Sequence, residues 1–344
     1  MGMYILRRIL MMIPTLFGIT IVSFIIINLA PGSPIEQKLQ AIRFGGGMSA
    51  GAGSGSAGHG QSGVSQDVLD ALKKQYGFDK PVLVRYGIWL KNLTRLDFGK
   101  SFKYEEPVTD IILSKMPVSI QFGLVSLFLT YLICIPLGVL KALNAGSAFD
   151  IVSSFVLFVM LSVPPVMLAV ILIVFFAGGS FFDWFPLGGL YSDAYSTMGL
   201  FAKIWDRVHH AVLPLTCYLI GSFTFLTILM KNSMLDIIKL DYVRTAQAKG
   251  LGKKVVYMKH ALRNALIPIV TGMSGILTVF FAGSIIVEQI FQLDGMGQLG
   301  LTAVNSRDYN VLMGLIFIES LLFLVGRLLT DIAYVLVDPR IDFS

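Results

Sequence analysis

Long stretches of this chain contain no Asp, Glu, Lys or Arg. The first runs from Ile9 to Ala30, directly after Arg7 and Arg8, and others cover Pro117 to Leu140, Ile151 to Ala177, Ala211 to Met230 and Ala265 to Val287. A sixth apolar stretch, Tyr309 to Val337, is interrupted only by Glu319, Arg327 and Asp331. A helix needs about 20 residues to cross the hydrocarbon core of a bilayer, and each of these runs is long enough. The pattern predicts an all-α polytopic membrane protein with six transmembrane helices. Composition agrees: 55% of the 344 residues are hydrophobic and 14% charged, against about 25% charged for a soluble domain.

The first run follows a charged start, as a signal sequence does. It is longer than a signal core and lacks a small-x-small cleavage site, so an uncleaved first helix over residues 1–30 is expected. Six helices put both termini on one side. Arg7 and Arg8 precede the first span, and Lys231 to Arg263 holds eight Lys/Arg against Asp236 and Asp241. Basic residues next to spans stay in the cytoplasm, which gives an N-in, C-in topology. Residues 31–116 then form a periplasmic segment, and residues 117–344 a five-helix core with a cytoplasmic loop at 232–264.

Within the periplasmic segment, residues 45–63 contain nine glycines in nineteen positions. Such a composition cannot bury enough apolar surface to offset chain ordering, so a tether is expected. Two short helices should follow, one capped by Ser65, the other presenting Val82, Tyr86, Trp89, Leu90 and Leu93 on one face. In the third span, Pro164-Pro165 removes backbone donors and disfavours helix immediately before it, so a kink or break is expected there.

Several chemistries are absent from the pattern. The net charge of +6 comes from residues beside spans, not from a basic soluble module, which argues against a nucleic-acid partner. Cys134 and Cys217 lie inside apolar runs and read as packing residues. His59 lies alone in the tether, and the His209-His210 pair sits at the edge of a span; neither gives a metal set. No nucleophilic triad or HExxH is present, so no catalytic residue is assigned. Gly250-Leu251-Gly252-Lys253-Lys254 lacks the spacing and final Ser/Thr of a phosphate-binding loop, so no nucleotide site is expected on this chain.

The loop between the fourth and fifth spans reads LDYVRTAQAKGLGKKVVYMKHALRNALIP over residues 240–268. It is too polar to cross a membrane and too long for a tight connection, so it must form structure outside the bilayer. Leu240 to Lys249 suits a helix, Gly250 and Gly252 can end it, and a second helix can start at Lys253. Ala246, Ala248 and Gly250 leave a small-residue surface. The loop's basic residues would also attract anionic membrane lipid, at about 1 kcal/mol each.

Tyr242-Val243-Arg244-Thr245-Ala246-x-Ala248-Lys249-Gly250, followed by His260-Ala261-Leu262-Arg263-Asn264-Ala265-Leu266-Ile267-Pro268, resembles the cytoplasmic loop of ABC importer permeases of the dipeptide and oligopeptide group. The likeness extends to RRILMMIPTLFGITIVSFIIINLAPGSP at the start, YGFDKPVLVRYGIWLKNLTRLDFGKSF in the periplasmic segment and LVDPRIDF at the end. Residues 174–190, the Gly-rich insert and the closing Asp338 to Phe343 look most like Yej-type permeases, a subgroup associated with microcin C and peptide uptake. One departure stands out: the general Glu-Ala-Ala of the motif is replaced by Arg244-Thr245-Ala246.

The resemblance implies a permease subunit that forms half of a translocation pathway in the inner membrane. Its expected partners are a second homologous permease, cytoplasmic ABC ATPase subunits holding ATP and Mg, and a periplasmic peptide-binding protein. Arg244, Thr245, Ala246, Ala248, Lys249, Gly250 and Leu251 would form the ATPase-coupling surface, with residues 240–259 as its lever. In the last span, Arg327 and Asp331 are spaced to pair on one helix face, and Glu319, two turns earlier, could meet a peptide's positive terminus. Alternatives are an ABC permease for nickel or another small solute, and a proton-coupled secondary transporter using Glu319, Arg327 and Asp331 as a relay.

Overall fold

The computed structural model describes residues 2–29, 79–179, 181–271 and 283–337. In chain order the helices are α1 (Gly2–Leu29), α2 (Val82–Leu93), α3 (Val108–Leu143), α4 (Ala148–Ser162), α5 (Pro165–Phe176), α6 (Leu200–Ile238) and α7 (Asp241–Ala248). They continue with α8 (Lys253–Val255), α9 (Leu262–Ala265), α10 (Ile267–Thr271), α11 (Ile285–Ile290), α12 (Met296–Asn305) and α13 (Tyr309–Val337). A π-helical stretch, Val256–Ala261, joins α8 to α9. Among the described residues no β-strand forms, and one isolated bridge links Lys100 with Pro107. The tether 45–63, the helix expected from Ser65 and the centre of the fifth apolar run lie outside the described residues.

Four described helices are long and apolar enough to cross a membrane: Met3–Leu29 of α1, all of α3 and α6, and Tyr309–Ile332 of α13. The α4–α5 pair passes the same test as one broken span, bent by 97°. The cause is the expected one. Pro165 stands at the first position of α5, where its missing N–H costs nothing, while Pro164 forces Val163 out of the helical region to φ −86, ψ 117. The fourth apolar run proves to be the middle of a longer helix. At 39 residues, α6 is roughly 58 Å long, about twice the thickness of a hydrocarbon core. The helix continues through the charged residues at both ends because backbone hydrogen bonding does not stop where the apolar run does.

The chain divides into two compact units. The smaller comprises Ile13–Ser114 and Gly300–Ser320. In it the expected inward face of α2 packs through Tyr86, whose ring lies 5.2 Å from Phe24 and 6.2 Å from Trp89. Val82, expected on that face, is exposed instead, because it sits at the first turn, before α2 meets α1. Fully buried Asp308 accepts a 2.5 Å hydrogen bond from Ser101, and Asn310 donates to the Lys100 carbonyl at 2.7 Å. These bonds fasten the loop before α3 to the start of α13.

The larger unit comprises Met1–Met12, Lys115–Leu299 and Leu321–Ser344. Its described residues include two buried cores. One gathers Phe122 of α3, Ala169 of α5, Leu213 and Cys217 of α6, and Val287 and Phe291 around α11. The other gathers Cys134, Val139 and Ala142 of α3, Leu226, Met230 and Met234 of α6, and Val243, Val256, Ala261 and Ala265 of the loop. Both cysteines are therefore buried packing residues, as read.

Candidate functional site: the loop after α6

The loop is two helical segments folded against the end of α6. Asp241 occupies the first turn of α7, where a negative side chain complements the positive helix end. Val243, with no exposed surface, points into the core, and Ala246 and Gln247 are half-buried beside it. One turn round, Arg244, Thr245 and Ala248 are exposed, and Lys249, Gly250 and Leu251 continue that outward surface. Each member of the expected coupling set except Ala246 is therefore exposed, on a scaffold fixed from the other side.

Gly250 ends α7 as the spacing suggests. Its φ is +84, and its N–H donates to the Gln247 carbonyl at 2.9 Å. A Cβ built there meets no atom within 4 Å. Within this chain glycine is needed for the left-handed backbone, not for space.

The return segment is held by the π-turn. Val256 and Ala261 are both fully buried although five residues apart, a spacing that a π-turn brings back onto one face and an α-helix does not. Asn264 donates to the Tyr242 hydroxyl at 2.8 Å, and Ser233 of α6 donates to the Ala265 carbonyl at 2.7 Å. A hollow of about 410 Å³ beside this junction is lined by Asn232, Ser233, Asp236 and Asn264 with Ile267 and Pro268.

The last-span residues are arranged differently from the expected intrahelical pair. Asp331 meets Arg8 of α1 at 2.9 Å and accepts from the Tyr4 hydroxyl at 3.1 Å, and Arg8 also donates to that hydroxyl at 2.9 Å. Among the described residues no ion pair joins Asp331 to Arg327. The physical reason is competition: a planar guanidinium and a phenol from α1 satisfy the carboxylate together, which one side chain from its own helix cannot match. Glu319 is half-buried on α13.

Two polar clusters had no counterpart in the sequence reading. Glu288, 1% exposed, accepts from Ser119 at 2.9 Å and from the Gln298 N–H at 2.8 Å, with the Tyr218 hydroxyl at 3.4 Å. Asp150 is gripped by Lys141 and Lys231 at 3.1 and 2.7 Å. The only sequence signal for either was an acidic residue next to an apolar run, which an exposed loop end would also give.

Several helices long and apolar enough to cross a membrane, one of them broken at a proline pair, define the class: a multi-pass membrane protein with a two-helix loop built on the end of a long helix. The chain belongs to the family described as "Binding-protein-dependent transport system inner membrane component", which matches residues 134–343. Among its relatives, the peptidoglycan transport system permease protein YejB of Agrobacterium fabrum is 44% identical, over 100% of this chain and 99% of the relative. The inner membrane ABC transporter permease protein YejB of Escherichia coli O157:H7 is 42% identical over the full length of both. The oligopeptide transport system permease protein AppB of Bacillus subtilis is 36% identical, again over both full lengths. The chain is thus a multi-pass inner-membrane protein, and the family is one of permease subunits that form a channel and are not catalytic.

Proposed function

We propose that the chain is one of two permease subunits of an ATP-driven importer of peptides or peptide-like compounds, with microcin C-type compounds among the candidate cargoes. It would cross the membrane six times with both termini in the cytoplasm. The runs at Arg7-Arg8 and Lys231 to Arg263 support that orientation, and full-length similarity to peptide permeases supports the cargo. Residues 31–116 would face the periplasm and a peptide-binding protein there, while 117–344 would carry the pathway with a second, homologous permease.

The observation that carries the mechanism is the two-sided loop. Arg244, Thr245, Ala248, Lys249, Gly250 and Leu251 are exposed, while Val243 and Val256 on the opposite side are fully buried in the core shared with α3 and α6. A force applied to such a surface is delivered to α6 instead of being lost in a mobile loop. ATP and Mg would be held by a separate ATPase subunit that closes on this surface. Glu319 would face the pathway, where a carboxylate could receive a peptide's positive terminus.

The test is to purify the tagged chain from membranes in mild detergent and identify what remains in stoichiometric amounts. A second permease and an ABC ATPase are expected, and Gly250→Asp should release the ATPase while leaving the permease pair intact. Purification alone, with uptake in proteoliposomes driven by a proton gradient, would refute the proposal.

A further inference from the structure

We infer that Lys141, Asp150 and Lys231 form a charge clamp that makes α4 follow α6, so that motion of the loop reaches the broken third span. The inference rests on the coupling role proposed above for the loop. The three residues are positioning residues and touch neither nucleotide nor cargo.

Three helix ends meet at one carboxylate. Lys141 of α3 has no exposed surface; its ammonium donates to the Asp150 carbonyl at 2.9 Å and to Ser153 and Ser154 at 2.6 and 2.8 Å. Lys231 of α6 reaches both Asp150 oxygens, at 2.7 and 2.8 Å. The Gly146 N–H completes the set at 3.1 Å. One lysine already neutralises Asp150, so local charge balance does not call for the second. What Lys231 adds is a tie to the helix that carries the loop.

On α6, Lys231 lies among the residues that hold the loop. Met230 and Met234 are fully buried in the core that contains Val243 and Val256, and Ser233 bonds Ala265. At this level α3 lies directly against α6: a Cβ on Gly138 would come within 2.6 Å of the Met230 Cβ and 2.8 Å of the Thr227 carbonyl. The ends of α3 and α6 and the loop therefore form one tightly packed block.

Asp150 is in the first turn of α4, so the clamp grips α4 at the end nearest that block. A second tie lies farther along, where Thr224 donates to the Leu157 carbonyl at 2.9 Å. Beyond Val163 the span turns by 97° into α5, which packs in the other core with α11 and with the earlier part of α6 around Leu213 and Cys217. With α4 locked to α6, the extended Val163–Pro164 link is where a change of angle can be absorbed. Without the clamp, the start of α4 would be free of α6, and the two helices would be joined only farther along, at Thr224 and Leu157.

The experiment uses the whole transporter, purified through this chain and reconstituted in proteoliposomes with its binding protein and a transported peptide. ATP hydrolysis and peptide uptake are measured for wild type, Lys231→Met and Lys231→Arg. Lys231→Met should retain the ATPase subunit and hydrolyse ATP, with peptide moved per ATP lowered between about twofold and thirtyfold; Lys231→Arg should restore the ratio. An unchanged ratio in Lys231→Met overturns the clamp, as does a loss that Lys231→Arg fails to repair.

A second measurement leaves the clamp intact. Phe155 of α4 and Phe225 of α6 are both well exposed. Spin labels on cysteines at these positions should keep one separation with and without ATP, and a change beyond about 2 Å, the scale of helix shifts in switching proteins, overturns the proposal. Gly250→Asp run in parallel separates the two readings: normal ATPase binding and uptake in that variant would bring down the loop's role itself, whereas an altered Gly250→Asp with an unchanged Lys231→Met brings down only the clamp.

Discussion

Replacing Gly250 tests why the end of α7 has its present form. The residue has φ +84 and no atom within 4 Å of a built Cβ, so a side chain meets no steric barrier inside this chain. What remains is the cost of a left-handed backbone, about 1–2 kcal/mol for an ordinary L-residue, smaller for Asn and larger for a β-branched one. A cost of 1 kcal/mol lowers the population of the present loop end about fivefold. The expected order of ATP-dependent peptide uptake in proteoliposomes is therefore Gly, then Asn, then Ala, then Val, with Ala down about fivefold to thirtyfold. Normal amounts of assembled complex should be confirmed for each variant. The reverse order of Ala and Asn, with Ala matching wild type, would refute the reasoning: the surface would then need smallness for an outside partner, and the backbone angle would be secondary.

Shortening Val243 or Val256 to Ala removes two carbons from a site with no exposed surface, and should cost about 2 kcal/mol of stability. Thermal denaturation of the detergent-solubilised protein measures this, and loss of uptake should exceed loss of assembled protein. For Asp331, a double-mutant cycle with Arg8 should give a coupling of no more than about 1 kcal/mol, since the pair is partly exposed, while the cycle with Arg327 should give none; equal couplings would mean that the carboxylate is shared. Glu288→Gln keeps one acceptor oxygen and sets an NH2 group against either the Gln298 N–H or the Ser119 hydroxyl, so one of the two donors loses its acceptor. It should destabilise by about 3 kcal/mol, more than Ser119→Ala, and equal melting temperatures for the two variants would count against this account.

Much of this protein is legible in one dimension. Uncharged runs of about 20 residues have no better place than a bilayer, so α1, α3, the α4–α5 pair, α6 and α13 could be placed from composition alone. The break at Pro164-Pro165 follows from two missing N–H groups and the restriction on Val163. The loop helix ending at Gly250 follows from polarity, helix propensity and glycine's access to positive φ. Each of these is decided by a residue and its near neighbours in sequence.

The tertiary structure decided what sequence spacing cannot reach. Arg327 was the arithmetically suitable partner for Asp331, but Arg8, on the first helix, is the one beside it. Lys231 read as one more basic residue at a membrane edge, whereas it closes on Asp150 across 81 positions of chain. Val243 and Val256 were two apolar residues in a polar loop until the π-turn set them in one core with Met230 and Met234. A buried ionic group must find its counter-charge wherever the fold brings one, and sequence distance carries no information about where that will be.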